Sequence, residues 1–426
     1  MRYLKIFLAA LLCMSWVLCP ARDEVTLDNG RKVNVREALG QDQPYPFDLE
    51  EPVPHAPRGY EPFFIEHYGR HGSRFAYSNV YYDTVKAAFD QAEAKGLLTE
   101  FGRSVKAEYD SHYPVYRMRM GDLTGLGWEQ QTKLGREMAE NYRGIFKRSD
   151  AFVFAVSSDS RRSMMSMSAF CLGIGQTMPS LVIREDQGCC HLDSTQPKSG
   201  SNPYRITNWP VLEFPFQDSE DGFCERKTKC CPAALSALFT DPEAALSGIG
   251  KETFIRKLYI VVAGMNSLDP ADRTDFSGVF TDEEFARMWE VDNYQRYREY
   301  YNYTVQTTPV LKNMLDDAEE AIEKGKYGAS LRFGHDHVLL PLLVLFRLNG
   351  YTRHPSSSDE ISSIYAGIDC PMAGNLQLVL YRSHKRGDIL VNIRLNGRNA
   401  TVDGLEQISE GFYRWSDFCR ILTFAE

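Results

Sequence analysis

Phe63-Phe64-Ile65-Glu66-His67-Tyr68-Gly69-Arg70-His71-Gly72-Ser73-Arg74 sets the reading of the whole chain. Its first half is rich in aromatic and β-branched residues and predicts a short buried strand. Gly69 and Gly72 bracket the histidine, so the backbone can turn sharply and approach a ligand closely. One imidazole then stands at a strand end with a guanidinium on either side. Guanidinium forks match phosphoryl oxygens, and their charge does not titrate away. A neutral histidine between them can attack phosphorus and carry the group as a phosphohistidine. A charged surface turn has the same composition, so the rest of the chain must decide.

At 426 residues the chain exceeds one simple core and predicts two lobes, or a core with a large insertion. With 43% hydrophobic and 25% charged residues it is globular, not disordered. Arg2 and Lys5 followed by the apolar run Ile6–Leu18 predict a signal peptide over residues 1–21, with Cys19-Pro20-Ala21 at the cleavage site. Bulky Leu18 argues against lipoprotein acylation at Cys19. No later stretch is long and apolar enough for an integral membrane segment. The expected location is secreted or periplasmic. The whole chain carries −9, and losing Arg2 and Lys5 leaves 46 basic against 57 acidic residues, or −11. Bulk charge therefore excludes nucleic acid and anionic membrane as partners, and a polyanion would need a locally basic pocket. Eight cysteines remain after the leader, an even number that predicts disulfides without choosing their pairing. Cys189-Cys190 and Cys230-Cys231 also raise zinc, but adjacent cysteines are poor zinc spacing.

Residues 22–60 predict an extended lead-in. Val80–Lys95 predicts a helix closed by Gly96, and 97–121 an irregular stretch. A long helix opens at Leu123-Thr124-Gly125-Leu126-Gly127, with Leu134, Met138, Tyr142 and Ile145 on one face. Phe152–Val156 predicts a buried strand, Ser157–Ser160 a polar turn, and Arg162 the start of a helix ending near Gly175. Helix N-termini favour anions. Residues 186–325 hold most of the cysteines and read as an inserted lobe with helices over Glu283–Tyr300 and Val310–Lys324. The basic run Glu225–Lys229 inside it predicts a solvated loop. Ala329–Phe333 resumes the core as a strand. Gly334-His335-Asp336-His337 follows, then a helix over Val338–Leu348 with Pro341 in its first turn. Leu376–Tyr381 and Ile389–Leu395 predict an antiparallel pair, and Tyr413–Phe424 a closing helix. The expected fold is α/β: a mixed-sheet core flanked by helices (45–75, 122–185, 326–426) with a mostly helical cap (76–121, 186–325).

Three strand-end loops thus carry Arg70/His71/Arg74, Arg162 and His335/Asp336, and ligands of open α/β sheets bind outside strand ends. At these residues the chain resembles the histidine acid phosphatases, the branch with phytases and multiple inositol polyphosphate phosphatases. Arg70-His71-Gly72-Ser73-Arg74 resembles their Arg-His-Gly-x-Arg signature. Leu123-Thr124-x-x-Gly127-x-x-Gln130-x-x-x-Leu134-Gly135, Ser157-Ser158 with Arg162 and Ala169-Phe170, and His335-Asp336 resemble their later motifs, in the same order over residues 60–350. Ala76 stands where the family often has Pro. His335-Asp336-His337 stands where the inositol polyphosphate phosphatases have His-Ala-Glu, which puts the acid on Asp336. Counting from Ala169-Phe170, the family's arginine falls on Arg162 and leaves Arg161 a solvated neighbour.

The resemblance implies a phosphomonoesterase with no metal and no organic cofactor. His71 is its nucleophile, Asp336 its proton donor, and Arg70, Arg74, Arg162 and His335 hold the phosphate. The substrate it implies is a small phosphate ester, inositol polyphosphates (phytate) first. A broad-specificity acid or sugar phosphatase is the alternative. From another class, a non-catalytic phosphate-ligand-binding protein would need neither His71 nor Asp336. A metal site at His335-Asp336-His337 lacks companion ligands. His67 reads as a packed core histidine. His55, His112, His191, His354 and His384 read as structural or surface residues without companions.

Overall fold

Strand β1 (Tyr60–Arg70) is buried from Phe63 onward, so both of its faces are covered. The computed structural model describes residues 24–197, 220–229, 231–383, 385 and 387–422; the leader and Cys19 lie outside them. The other strands of the main sheet are β2 (Phe152–Ser157), β3 (Val182–Gln187), β4 (Gly328–Gly334), β5 (Asn375–Ser383), β6 (Ile389–Leu395) and β7 (Phe412–Arg414). Their order is β7-β6-β5-β1-β4-β2-β3, with the two-residue strand Arg398–Asn399 pairing β6 off this path. From β1 through β4 and β2 to β3 the pairing is parallel; from β1 through β5 and β6 to β7 it is antiparallel. The mixed α/β sheet expected from the sequence is present.

Alternation along the strands feeds two cores. Leu376, Leu378 and Leu380 of β5 enter one, and Val379 and Tyr381 enter the other. The second core is closed by α3 (Gly125–Asn141) and α4 (Arg161–Thr177), through Leu134, Met138, Met167 and Phe170. A Cβ on Gly135 would lie 2.0 Å from the carbonyl of Phe170, so glycine lets these two helices touch. The first core runs into the helical lobe. It takes residues from α1 (Asn79–Ala94), α2 (Glu100–Met118), α5 (Glu220–Thr228), α6 (Lys251–Gly264), α7 (Asp282–Asn302), α8 (Thr304–Glu323) and α9 (Asp336–Leu345). Arg332 of β4 binds this face together. It donates to Glu66 of β1 at 2.6 Å and to Asp317 of α8 at 2.5 Å.

Several expectations are corrected. Residues 100–118 are a helix, not irregular: Thr99 caps it, accepting from Gly102 N at 2.8 Å, and Val105, Tyr109 and Tyr116 share its buried side. The lead-in is not simply extended, for Val25–Thr26 pairs with Lys32–Val33 and Glu37–Asp42 forms a 3-10 turn. The basic run 225–229 is not a solvated loop. It falls largely in α5, and Lys227 is buried between Glu290 (3.1 Å) and Asp28 (2.8 Å). Pro341 is the sixth residue of α9, not in its first turn, because that helix begins two residues earlier than the apolar run suggests. The closing helix, α10 (Trp415–Ile421), starts late because Phe412–Arg414 pair with β6. No disulfide occurs among the described residues. Cys171 and Cys370 lie in different cores on opposite faces of the sheet, so no bridge can join them.

Candidate active site

Parallel register brings the first and last motifs side by side. Arg70 of β1 is level with Gly334 of β4, so His71 and His335 leave the sheet together, their ring centroids 5.5 Å apart. Ser157 of β2 is level with Phe333, which delivers Ser158 and the start of α4 to the same edge. Backbone bonds lock the exits: His71 N donates to Gly334 O at 3.0 Å, and Ser158 N to Phe333 O at 3.0 Å.

The second motif holds the first. Thr124 caps α3, accepting from Gly127 N at 3.1 Å, while its hydroxyl reaches the Ser73 carbonyl at 3.0 Å. Ser73 N donates to Gln130 Oε1 (3.0 Å), and Gln131 Nε2 donates to Arg70 O (2.8 Å). Gly72 N donates to Ser166 of α4 at 3.0 Å. Gly72 is needed for space rather than for an unusual φ: a Cβ there would sit 2.5 Å from the Gly127 carbonyl.

His71 is buried, and its Nδ1 lies 3.0 Å from the Gly72 carbonyl. A carbonyl only accepts, so Nδ1 carries the proton and Nε2 keeps its lone pair. Burial, then the charges of Arg162, Arg70 and Arg74, push its pKa well below the usual histidine value, which keeps the ring neutral. Arg70 Nη1 donates to the carbonyls of Gln41 (2.5 Å) and Cys370 (2.6 Å). Arg74 faces Asp42 at 3.7 Å. Arg162 Nη2 donates to His335 Nδ1 at 3.3 Å, which leaves His335 Nε2 to donate to Ser158 Oγ at 3.1 Å. Burial and the charges of Arg74 and Arg70, against the pull of Asp336, lower Arg162 to about 10. Arg70 Nε and Nη2, Arg74 Nε and Arg162 Nε are buried donors without a hydrogen-bond partner. Arg161 differs: its side chain is 74% exposed and pairs with Asp122 at 3.1 Å.

Asp336 opens α9, where the helix dipole favours a carboxylate. It lies 3.5 Å from Arg70 Nη2 and 3.8 Å from Arg296 of α7. Burial raises its pKa, but Arg70, Arg296 and His337 outweigh that and hold it well below the usual carboxylate range. His337 stacks on His335 at 5.0 Å and accepts from Gln196 at 3.2 Å. All six site residues expected from the sequence therefore meet at one sheet edge. Sequence reasoning missed Asp42 and Arg296. Asp42 meets Arg74 only through tertiary packing, and Arg296 shows locally only an ordinary helix pair with Asp292 at 2.6 Å, which gives no hint of Asp336. It also missed Tyr68, whose hydroxyl accepts from His335 N at 3.1 Å and donates to Thr195 O at 2.6 Å.

The family model of the histidine phosphatase superfamily (branch 2) matches residues 69–396. The chain belongs to this superfamily. It is therefore a phosphoric monoester hydrolase. Solved structures share the fold. The multiple inositol polyphosphate phosphatase of Bifidobacterium longum, solved with inositol hexasulfate, superposes with a TM-score of 0.73 at 17% identity, covering 91% of this chain and 97% of its own. A phytase from D. castellii gives 0.65 at 15% identity, covering 91% and 85%. The apo phytase of Hafnia alvei gives 0.52 at 14%, covering 86% and 97%. No curated protein sequence matches the chain. Among the described residues of this histidine phosphatase, no helix is long and apolar enough to cross a membrane.

Proposed function

We propose that this histidine phosphatase is a secreted or periplasmic enzyme that hydrolyses inositol polyphosphates through a covalent phosphohistidine on His71. The observation that supports it most is the set of buried guanidinium N–H groups without hydrogen-bond partners around a neutral imidazole whose Nε2 lone pair is available. Arg70, Arg74 and Arg162 bind the phosphoryl oxygens and stabilise charge developing there. His71 Nε2 attacks phosphorus in line, and the bond to the departing alkoxide breaks. Asp336 gives that alkoxide its proton. Water then attacks the phosphohistidine, Asp336 recovers a proton from it, and the N–P bond breaks.

Asp336 is ionised beside Arg70 and Arg296 when no phosphate is near. A phosphate dianion neutralises those charges and removes their hold on the carboxyl, so substrate binding takes up the proton that catalysis spends. The same arrival lets His335 donate from Nδ1 as well: that nitrogen accepts from Arg162 now, and a second ring proton is favoured beside the phosphate dianion. The inositol polyphosphate assignment is supported by the fold shared with the Bifidobacterium longum enzyme over nearly the full length of both chains. In this reading the helices of residues 76–121 and of the described part of 220–325 are the cap over the sheet edge, and Arg296 of that cap lies 3.8 Å from the acid.

Brief mixing with inositol hexakisphosphate at low temperature, followed by quenching, tests the nucleophile. Wild type should retain acid-labile, alkali-stable phosphate, and His71→Ala should retain none. An acid-stable adduct would mean a carboxylate or hydroxyl nucleophile. Sugar phosphates and an aryl phosphate, run alongside, test the substrate: equal kcat/KM across the panel would favour a broad acid phosphatase.

A further inference from the structure

β3 ends at Gln187, and Gly188 (φ 109°) reverses the chain, donating its N–H to Ser157 O at 3.3 Å. Cys189–His191 then make a single 3-10 turn. The reversal brings back a pattern that the sequence left without companions. Asp186 at the strand end meets Cys190 and His191 of the turn, and one ligand atom from each lies within 4.8 Å of the other two. His191 Nε2 sits 3.0 Å from Asp186 Oδ2, a contact that pairs the ring with the carboxylate and holds the Asp186 pKa below the usual value. In the absence of a metal a proton on His191 serves Asp186 and the Cys190 thiol leans on the Gln187 carbonyl at 3.9 Å; a divalent cation can replace both protons at this spacing.

We propose that Asp186, Cys190 and His191 form a binding site for a borderline-soft divalent cation, Zn²⁺ above all, that pegs the segment 188–196. Thiolate, imidazole and carboxylate together select such an ion over Mg²⁺ or Ca²⁺. Zn–donor lengths of about 2.0–2.3 Å put tetrahedral ligand atoms roughly 3.3–3.7 Å apart. The three atoms therefore need to shift by only about 1 Å, within rotamer reach of the exposed Asp186 and Cys190. Water fills the fourth position.

The peg has a mechanical path to the phosphatase centre. Thr195 Oγ1 donates to His191 O at 2.6 Å. Thr195 O accepts from Tyr68, whose hydroxyl accepts from His335 N. Gln196 reaches His337. The turn thus anchors the segment behind both histidines of the last motif, without itself touching a reacting atom.

The test uses the full mature chain, reduced and freed of metal, with Co²⁺ and Zn²⁺ alone as probes. One equivalent of Co²⁺ should give a thiolate-to-cobalt charge-transfer band in wild type and in Cys189→Ser. The band should vanish in Cys190→Ser and His191→Ala, and Zn²⁺ should bleach it. Loss of either ligand should weaken Zn²⁺ by more than the roughly 10–100-fold typical of outer-sphere changes. Zn²⁺ should raise the melting temperature of wild type but not of Cys190→Ser, and slow amide exchange over 188–196. Binding that survives Cys190→Ser, or that needs Cys189, overturns the proposal. So does a mass deficit of two hydrogens on the peptide spanning both cysteines from a parallel sample left unreduced, which would mean a disulfide there. None of these readouts uses turnover, so the metal site and the phosphohistidine stand or fall separately.

Discussion

His67→Leu should flatten the acid sensitivity of the fold. His67 lies in the core between Phe170 (5.0 Å) and Phe333 (5.2 Å), and neither ring nitrogen has a hydrogen-bond partner. Burial, helped by the nearby Arg332 charge, lowers its pKa from 6.5 to about 3. The unfolded chain therefore takes up a proton that the folded one refuses. This contribution is fully present above the unfolded pKa and drains away as pH falls towards the folded one. One pKa unit corresponds to about 1.4 kcal/mol, so the loss reaches about 2 kcal/mol at pH 5 and about 4 kcal/mol near pH 3. Leucine is of similar size and does not titrate. It could cost up to about 1.5 kcal/mol through repacking, but equally at every pH. Urea unfolding of both proteins between about pH 4 and pH 7 isolates the difference. Wild type should lose about 1.4 kcal/mol more per pH unit in the acid half of that range. Parallel stability curves would refute the reasoning and mean that the buried ring is protonated or hydrated.

Asp336→Asn should cut turnover of an inositol phosphate by roughly 10²–10⁴-fold but barely slow phosphorylation by nitrophenyl phosphate, whose leaving group needs no proton. His337→Gln should be mild in both, and equal losses on the two substrates in single-turnover work would rule out Asp336 as donor. Arg162→Ala should lower kcat/KM chiefly through kcat while Arg161→Ala stays near wild type; the reverse ranking in steady-state kinetics would shift the assigned arginine by one residue. Lys227→Met should destabilise the fold by about 3–5 kcal/mol in urea, because it strips a buried carboxylate of its cation. Burial already pushes Glu290 up to about 7 against the pull of Lys227. The loss should therefore shrink below that pH and largely disappear with Glu290→Gln added; a pH-independent loss would point to packing instead.

What could be read from the sequence and what could not divides along physical lines. The three loops of the candidate site were legible because each follows a short apolar strand, and parallel strands deliver their exits to one edge. Thr124 and Gln130 were legible as a motif, though their work on the backbone of Ser73 was not. The helix 100–118 was hidden by Pro114 and by aromatics whose spacing spans two turns between Tyr109 and Tyr116. Lys227 looked solvated because Asp28, Glu290 and Asp359, its partners, lie far away in the chain. Asp42, in a 3-10 turn, and Arg296, within α7, likewise reach Arg74 and Asp336 only when the chain packs. The cluster at 186–191 was half visible: its cysteines stood out, but the reversal at Gly188 that adds Asp186 did not.

Arg70 ends held from both extremes of the polypeptide, by the carbonyl of Gln41 and by that of Cys370. During synthesis the first of these emerges early and the second only after most of the chain. Contacts of such long sequence separation form late. Any fragment ending before Cys370 leaves the guanidinium half tethered beside its histidine. The setting of Arg70 thus depends on a contact that any chain ending before Cys370 lacks.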